Sequence, residues 1–280
     1  MAELVQYLIT GVGVGCAYAL LGSGLVVIYR VTRVVNFAQG AVAVLAALTV
    51  TTLLAAGLPH GLAEGLGVLL AGAAGLLTGL VATGKPGTTP QAALIVTLGL
   101  GVLAYAVEIL FWGDQPRSFP GLPGATAGVQ THYLLIASVT ALVLAATAVL
   151  FARTDLGRAL TATAEDPYAA RIVGIDVARM GLLAFTVGGA LGGLAGVLIT
   201  PVQQVTFDSD VALVVNGFSA AILGNLTRPG LTLAGGLLLG VVQALAGGYW
   251  NTSYQTEVAL IFMLVVLVVR AGRLSSVETA

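Results

Sequence analysis

Asn36, Gln39, Asn216 and Ser219 are amide and hydroxyl side chains set among small and apolar residues. In such surroundings a polar side chain can do one of two things. It can hydrogen-bond across a helix contact, worth about 0.6–2 kcal/mol between helices in lipid, or it can trade hydration with a polar solute passing along interrupted helices. The stretches that carry these residues are VVNFAQG (34–40) and VVNGFSAAILGN (214–225); both open Val-Val-Asn and both follow an apolar run. If the two runs cross in opposite directions, this is the pattern of two inverted halves around a central pathway. Packing and pathway both stay open for these four residues and for Asn225.

The second chemistry-bearing stretch is RTDLGRALTATAEDPYAARIVGID (153–176), with three arginines and four carboxylates in an otherwise apolar chain. Its segment EDPYAARIVG predicts a helix of about two turns. Asp166, after Glu165, can cap the free amides, Pro167 suits the first helical position, and Gly174 suits the left-handed residue after the end. Tyr168 and Ile172, four apart, share a face, with Arg171 projecting to the side. A short capped helix of this kind is either a docking element or a solvated connector.

Enzyme signatures are missing. GLVATGKP (79–86) follows a phosphate-binding loop until Pro86 replaces the hydroxyl that would bind magnesium, and it closes an apolar run instead of following a strand. GVGVG (11–15) lacks the strand and acidic partner of a dinucleotide site. His60 and His132 have no neighbours at metal-ligand spacing, and the single Cys16 lies inside an apolar run, so no disulfide or Cys-based metal site is expected. The chain reads as a non-enzyme with no cofactor or metal of its own. Ion-coupled carriers place carboxylates or histidines deep in the membrane; here Glu108 is placed four residues before Trp112 at a span end, Glu64 and Glu257 open spans, and Asp208 and Asp210 fall in a loop.

The elements that position these groups follow from composition. The 280 residues are 58% hydrophobic and 8% charged, with a mean hydropathy of +1.02, whereas soluble domains carry about 25% charged residues. Apolar runs of about 20 residues, the length that spans a 30 Å hydrocarbon layer, recur near 7–29, 36–57, 63–83, 91–112, 132–152, 180–200, 211–226, 231–248 and 256–270. The expectation is an all-α polytopic membrane protein, a single domain over 1–280 with about eight or nine transmembrane or re-entrant helices. The first run is read as a retained span, and the short 211–226 window is the one most open to re-entry. A net charge of −1 points to no nucleic-acid partner. Placing the 153–179 loop in the cytoplasm puts Arg30, Arg33, Lys85, Arg153, Arg158, Arg171, Arg179, Arg228, Arg270 and Arg273 inside and only Arg117 outside, so an external N-terminus and cytoplasmic C-terminus are expected. Glycines in TVGGALGGLAG, notably Gly188, Gly192 and Gly196, are spaced for close helix packing.

The stretch from GRALTATAEDPYAARIVGID through GGALGGLAGVL (157–198) closely resembles the branched-chain amino-acid ABC transporter permeases, the Liv-type inner-membrane subunits. YALLGSGLVVIYRVTRVVNFAQGAV resembles the first span and N-F-A-[HQ]-G segment of that family, and FSAAILGNLTRPGLTLAGGLLLGVVQAL resembles its second Gly-rich region. The resemblance covers about two thirds of the chain. It implies a permease subunit of a binding-protein-dependent importer in a bacterial-type inner membrane, for branched-chain or related small amino acids. It also implies an extracytoplasmic solute-binding protein, a second related permease and two cytoplasmic ATPase subunits that bind the ATP and magnesium. Residues 165–174 would then be the helix seated in the ATPase. The chain departs from the pattern: the family often has Lys at the position of Asn216 and Gly at that of Asn225, and the segment after the third span is reduced to GKPGTTPQ. A urea or short-amide permease is therefore kept as an alternative, and so is a self-contained secondary carrier or channel.

Overall fold

The computed structural model describes residues 2–84, 88–121, 124–126, 129–249 and 254–278. Lys85 and Pro86 lie outside the described residues, and so do the side chains of Arg270 and Arg273. The described chain folds into eleven helices: α1 Ala2–Thr32, α2 Gln39–Ala55, α3 Leu62–Thr83, α4 Pro90–Trp112, α5 Thr131–Arg153, α6 Asp155–Glu165, α7 Pro167–Ile172, α8 Val177–Ile199, α9 Ser209–Leu223, α10 Pro229–Tyr249 and α11 Gln255–Glu278. Two-residue strands β1, Ala125–Thr126, and β2, Val129–Gln130, pair between α4 and α5. Six helices (α1, α3, α4, α5, α8 and α10) are long and apolar enough to cross a membrane, and α2, α9 and 257–269 of α11 are shorter apolar helices. Each of the nine apolar windows thus has its helix, as an all-helical polytopic membrane protein requires.

Burial divides them. The apolar window of α1 is 94% buried against 11% for α4 and α5, so α1 is a central post and α4 and α5 stand at the rim. Close glycine contacts give the directions. A Cβ on Gly15 would meet the Gly236 carbonyl at 2.6 Å and one on Gly240 would meet that of Gly11 at 2.3 Å, so α10 runs antiparallel to α1. In the same way Gly75 meets Phe185 and Gly189, and Gly67 lies near Val197, so α3 runs antiparallel to α8. Helix α2 runs with α8 (Gln39 beside Gly188, Ala43 beside Gly196) and α9 runs with α1 (Gly217 beside Leu21, Ala221 packed with Leu25). The order α1–α2–α3–α4 is therefore repeated, upside down, as α8–α9–α10–α11. The packing obeys the repeat: α1 on α10 answers α8 on α3, α2 on α8 answers α9 on α1, and α1–α8 and α2–α9 are the pairs on the axis. The glycines at spacing four serve close packing on both sides of α8, with Gly188 against α1 and Gly189 and Gly193 against α3.

The inverted repeat is present, but the Val-Val-Asn match does not mark it. Asn36 lies in the extended stretch before α2, while Asn216 lies in the middle of α9. The equivalent points are the helix starts. The carbonyl of Asp210, in the first turn of α9, presses on the α-carbon of Gly40, in the first turn of α2, where a Cβ would stand 2.0 Å from that oxygen. The window expected at 36–57 is thus a half-helix preceded by non-helical chain at 33–38, and 211–226 is its mirror, entered through 200–208. Since α10 begins beside Arg30 of α1 and ends beside Tyr7, α9 does cross to the side where α1 ends.

Non-helical backbone inside a membrane must find partners within the protein. At 33–38 it does. The chain reverses at Arg33, whose φ is 58°; the Ala38 amide donates to Asn36 Oδ1 at 3.1 Å, and Thr97 of α4 accepts from the Phe37 amide while lying 3.3 Å from the Val35 carbonyl. At 200–208 the amides of Val202 and Gln203 donate to Ile199, and Arg117 and Val205 exchange both backbone bonds.

Candidate functional site

The site is built around the two helix breaks. Gln39 is fully buried. Its amide fits into notches left by Gly24 of α1 and Gly192 of α8, where a Cβ would come within 2.6 and 2.4 Å of Nε2. From there Nε2 donates to the Gly188 carbonyl at 2.7 Å, and Oε1 accepts from Asn36 Nδ2 at 3.1 Å. Asn36 and Gln39 therefore act as one unit that ties the start of α2 to α8. In the other half, Asn216 Oδ1 accepts from Gln243 Nε2 at 2.7 Å, and Ser219 Oγ donates to Val215 within its helix and lies 3.3 Å from the Ala259 carbonyl of α11. All four residues singled out in the sequence are buried. The structure joins Asn36 to Gln39 at the break before α2, whereas Asn216 and Ser219, within α9, are held separately, to α10 and α11.

Gln243 was not singled out, and it leads to a pocket. A polar cavity of about 490 Å³ opens between α1, α5, α10 and the 200–208 segment, with Thr10, Tyr133, Gln203, Gln204 and Gln243 among its lining residues. It lies at the end of the bundle away from α6 and α7. Three glutamines from two separated stretches carry no sequence signal of a shared site; only the fold of 200–208 back over α10 brings them together.

Two acidic positions differ from expectation. Asp210 belongs to the first turn of α9, not to a loop. Glu108 is not near the surface: it is fully buried, and neither carboxylate oxygen has a hydrogen-bond partner in the described structure. Counting from Trp112 misplaced it because the 200–208 segment packs over this end of α4, with Tyr105 and Phe207 in edge contact at 4.9 Å. Each histidine has one polar neighbour. His60 Nδ1 lies 2.8 Å from Glu64, and the buried His132 places Nε2 3.0 Å from the Leu198 carbonyl. Among the described residues no three His, Cys, Asp or Glu side chains gather to hold a metal ion.

The hydrophilic loop carries the helix expected of it. Asp166 accepts from the amides of Tyr168 and Ala169 at 2.8 and 3.1 Å, Pro167 opens α7, and Gly174 has a φ of 86°. Tyr168 and Ile172 are 74% and 71% exposed, so this apolar face is uncovered within the chain. Glu165 and Arg171 are also exposed. The loop holds a second helix that was not anticipated, α6, capped by Thr154 through the Gly157 amide at 3.0 Å. Its buried Leu160 and its Gly157, packed on the Leu150 carbonyl, hold it to α5, and Arg33 donates to Ala164 at 3.0 Å. Thr154-Asp155 followed by Leu156 and Leu160 is a legible cap and stripe, but the glycine in its first turn argues against a helix. Helix α6 thus fixes the side of the bundle on which α1 ends, and α7 is presented from it.

Inverted halves whose half-helices meet end to end inside an apolar bundle make this a membrane transport protein by build. The comparisons with known proteins give the particular family. The family described as branched-chain amino acid transport system / permease component matches residues 7–270, and the chain belongs to it. It is 30% identical over 290 residues to the high-affinity branched-chain amino acid transport system permease protein BraD of Pseudomonas aeruginosa, covering 95% of this chain and 94% of that one. It is 27% identical over 287 residues to the corresponding LivH protein of Escherichia coli strain K12, covering 95% and 93%. A solved structure, PsaBC from Streptococcus pneumoniae in complex with Fab, shares the fold at a TM-score of 0.54 and 18% identity over 95% of this chain and 91% of that one. The chain is a permease component and not an enzyme, and membership implies ATPase and solute-binding-protein partners. The self-contained carrier or channel is set aside by the same finding.

Proposed function

We propose that this permease imports branched-chain or related small amino acids, working with a second, related permease, two ATPase subunits and an external binding protein. The observation that carries this reading is the family match across 7–270, together with relatives of nearly equal length whose names specify branched-chain amino acids. The arginine distribution supports placing α6 and α7 in the cytoplasm: Arg33 contacts α6 and Arg30 and Arg228 lie at the same end, while Arg117 is bonded to the Trp112 carbonyl at the other. That orientation puts the N-terminus outside.

In this reading the solute enters from the outside through the glutamine-lined cavity and passes along the helix breaks. Asn36, Gln39, Asn216 and Ser219 supply polar groups to it as the half-helices part. In the closed arrangement their atoms are engaged with one another, with Gly188 and with Gln243. Those bonds run from Gln39 to α8 and from Asn216 to α10, so movement of α2 away from α8 and of α9 away from α10 frees them. Asn36→Leu and Asn216→Leu are each expected to change the uptake rate, or the ATPase response to loaded binding protein, by at least about tenfold, the effect of one lost buried hydrogen bond of about 1.4 kcal/mol. The complex should still assemble. Normal kinetics in both variants, measured in proteoliposomes, would reduce these residues to packing elements, and urea or a short amide as the transported solute would shift the reading to the alternative substrate class.

A further inference from the structure

We propose that the groove between α1, α5 and α10 is a binding site for one anionic phospholipid, its acyl chain in the groove and its phosphate on the arginines at the mouth. The groove encloses about 320 Å³ and is lined by Val26, Val27, Leu144, Ala148, Phe151 and Leu233, with Arg30 also on its wall. It runs from residue 30 to 23 on α1 and from 151 to 144 on α5, which at 1.5 Å per residue is about 10 Å into the membrane. Below Arg30 its polar groups are the hydroxyl of Thr147, which donates to Val143 within α5, and that of Ser23, which is buried and has no partner in the described structure. No segment of the described chain fills it.

The mouth is cationic. Arg30 is on the groove wall, and Arg228 directly precedes Pro229 and Gly230, which also line it; Arg153 closes α5 at the same end, two residues beyond Phe151 and on another face of that helix. The ion pairs among the described residues are His60–Glu64, Arg158–Asp155 and Arg179–Asp176, so none of these three arginines has a carboxylate partner. The Arg30 guanidinium lies over the Phe151 ring at 5.6 Å, which holds it at the rim instead of extended into solvent. A positive-inside bias explains arginines at this level; it does not explain why one of them is held on the wall of an enclosed apolar groove. An acyl chain with an anionic head group satisfies both parts at once. A zwitterionic lipid satisfies only the groove, and a free phosphate only the mouth.

The test uses the assembled transporter, purified in detergent and stripped of lipid. Its thermal unfolding is measured with added phosphatidylglycerol, phosphatidylcholine or inorganic phosphate, and retained lipid is counted by mass spectrometry. The expected result is a melting temperature raised by phosphatidylglycerol alone, with one anionic lipid kept per chain. Arg30→Gln with Arg228→Gln should cost about fivefold in lipid affinity per arginine removed, and Ala148→Trp, which fills the groove and leaves the arginines in place, should abolish retention. An equal rise with phosphatidylcholine, or with phosphate alone, overturns the proposal on the unmodified protein without recourse to any variant. Unchanged retention in the Ala148→Trp protein overturns it as well.

Discussion

Gly174→Val combined with Arg171→Glu is expected to abolish solute-stimulated ATP hydrolysis and uptake while the permease stays inserted in the membrane. Gly174 ends α7 at a φ of 86° with nothing within 4 Å of a built Cβ, so the obstacle to valine there is the backbone conformation and not space. A β-branched residue in that region costs at least about 1–2 kcal/mol. That is a large share of what holds a six-residue helix whose inward anchor is the buried Ala170. The second change acts at the surface. Arg171 is exposed and has no ion pair among the described residues, so beyond a small charge effect at the end of α7 its reversal acts on whatever α7 meets. If α7 is seated in an ATPase subunit, as the resemblance implies, it needs a fixed shape and a seated face to pass movement to α5 and α8. The double variant removes both. ATPase assays with and without loaded binding protein read the result. Stoichiometric copurification with the ATPase and a normal transport rate would make 165–174 a plain connector.

Gly40→Val is expected to prevent folding of the membrane domain. A Cβ at Gly40 would stand 2.0 Å from the Asp210 carbonyl oxygen and 3.1 Å from Val214 Cβ. Backbone cannot rotate away as a flexible side chain does. Overpacking in a well-filled interior costs about 1–3 kcal/mol, and more where the obstacle is rigid. Here the obstacle is the point where both half-helices begin, so relief of the clash separates α2 from α9 and opens the contact between the two halves. Loss of the monodisperse complex in detergent chromatography is the expected readout. Gly65→Val, on the exposed side of α3 with nothing within 4 Å of its Cβ, should behave as the unmodified protein does. Normal yield and activity for Gly40→Val would mean that the half-helices do not meet as described.

How far the sequence reaches can be followed at particular residues. The nine apolar windows and the cap-and-glycine pattern of Asp166, Pro167 and Gly174 are local signals, and the structure places helices and a left-handed glycine at each of them. The arginines offer a reading of sidedness without knowledge of packing, and that reading is part of the proposal above. What was not legible depends on contacts between distant stretches. For Gln39 the sequence leaves packing and pathway both open, and it cannot name the partners: the amide is held in notches made by Gly24 and Gly192, more than a hundred residues apart. Glu108 looked close to a span end, and the 200–208 segment covers it. The repeated Val-Val-Asn drew attention to a true inverted arrangement for an incidental reason, since the equivalent points of the two halves, Gly40 and Asp210, share no residue type. Helix α6 was hidden by a glycine that is there for packing: Gly157 admits the Leu150 carbonyl.

The central claim is that this chain moves an amino acid only as the membrane part of an ATP-driven assembly. The most direct measurement is uptake of labelled leucine into proteoliposomes holding the permease pair, with and without the ATPase subunits, ATP inside and loaded binding protein outside. The account predicts accumulation that requires all of these and stops when ATP is replaced by a non-hydrolysable analogue. Uptake of leucine by the permease chains alone, unaffected by ATP or binding protein, would contradict it.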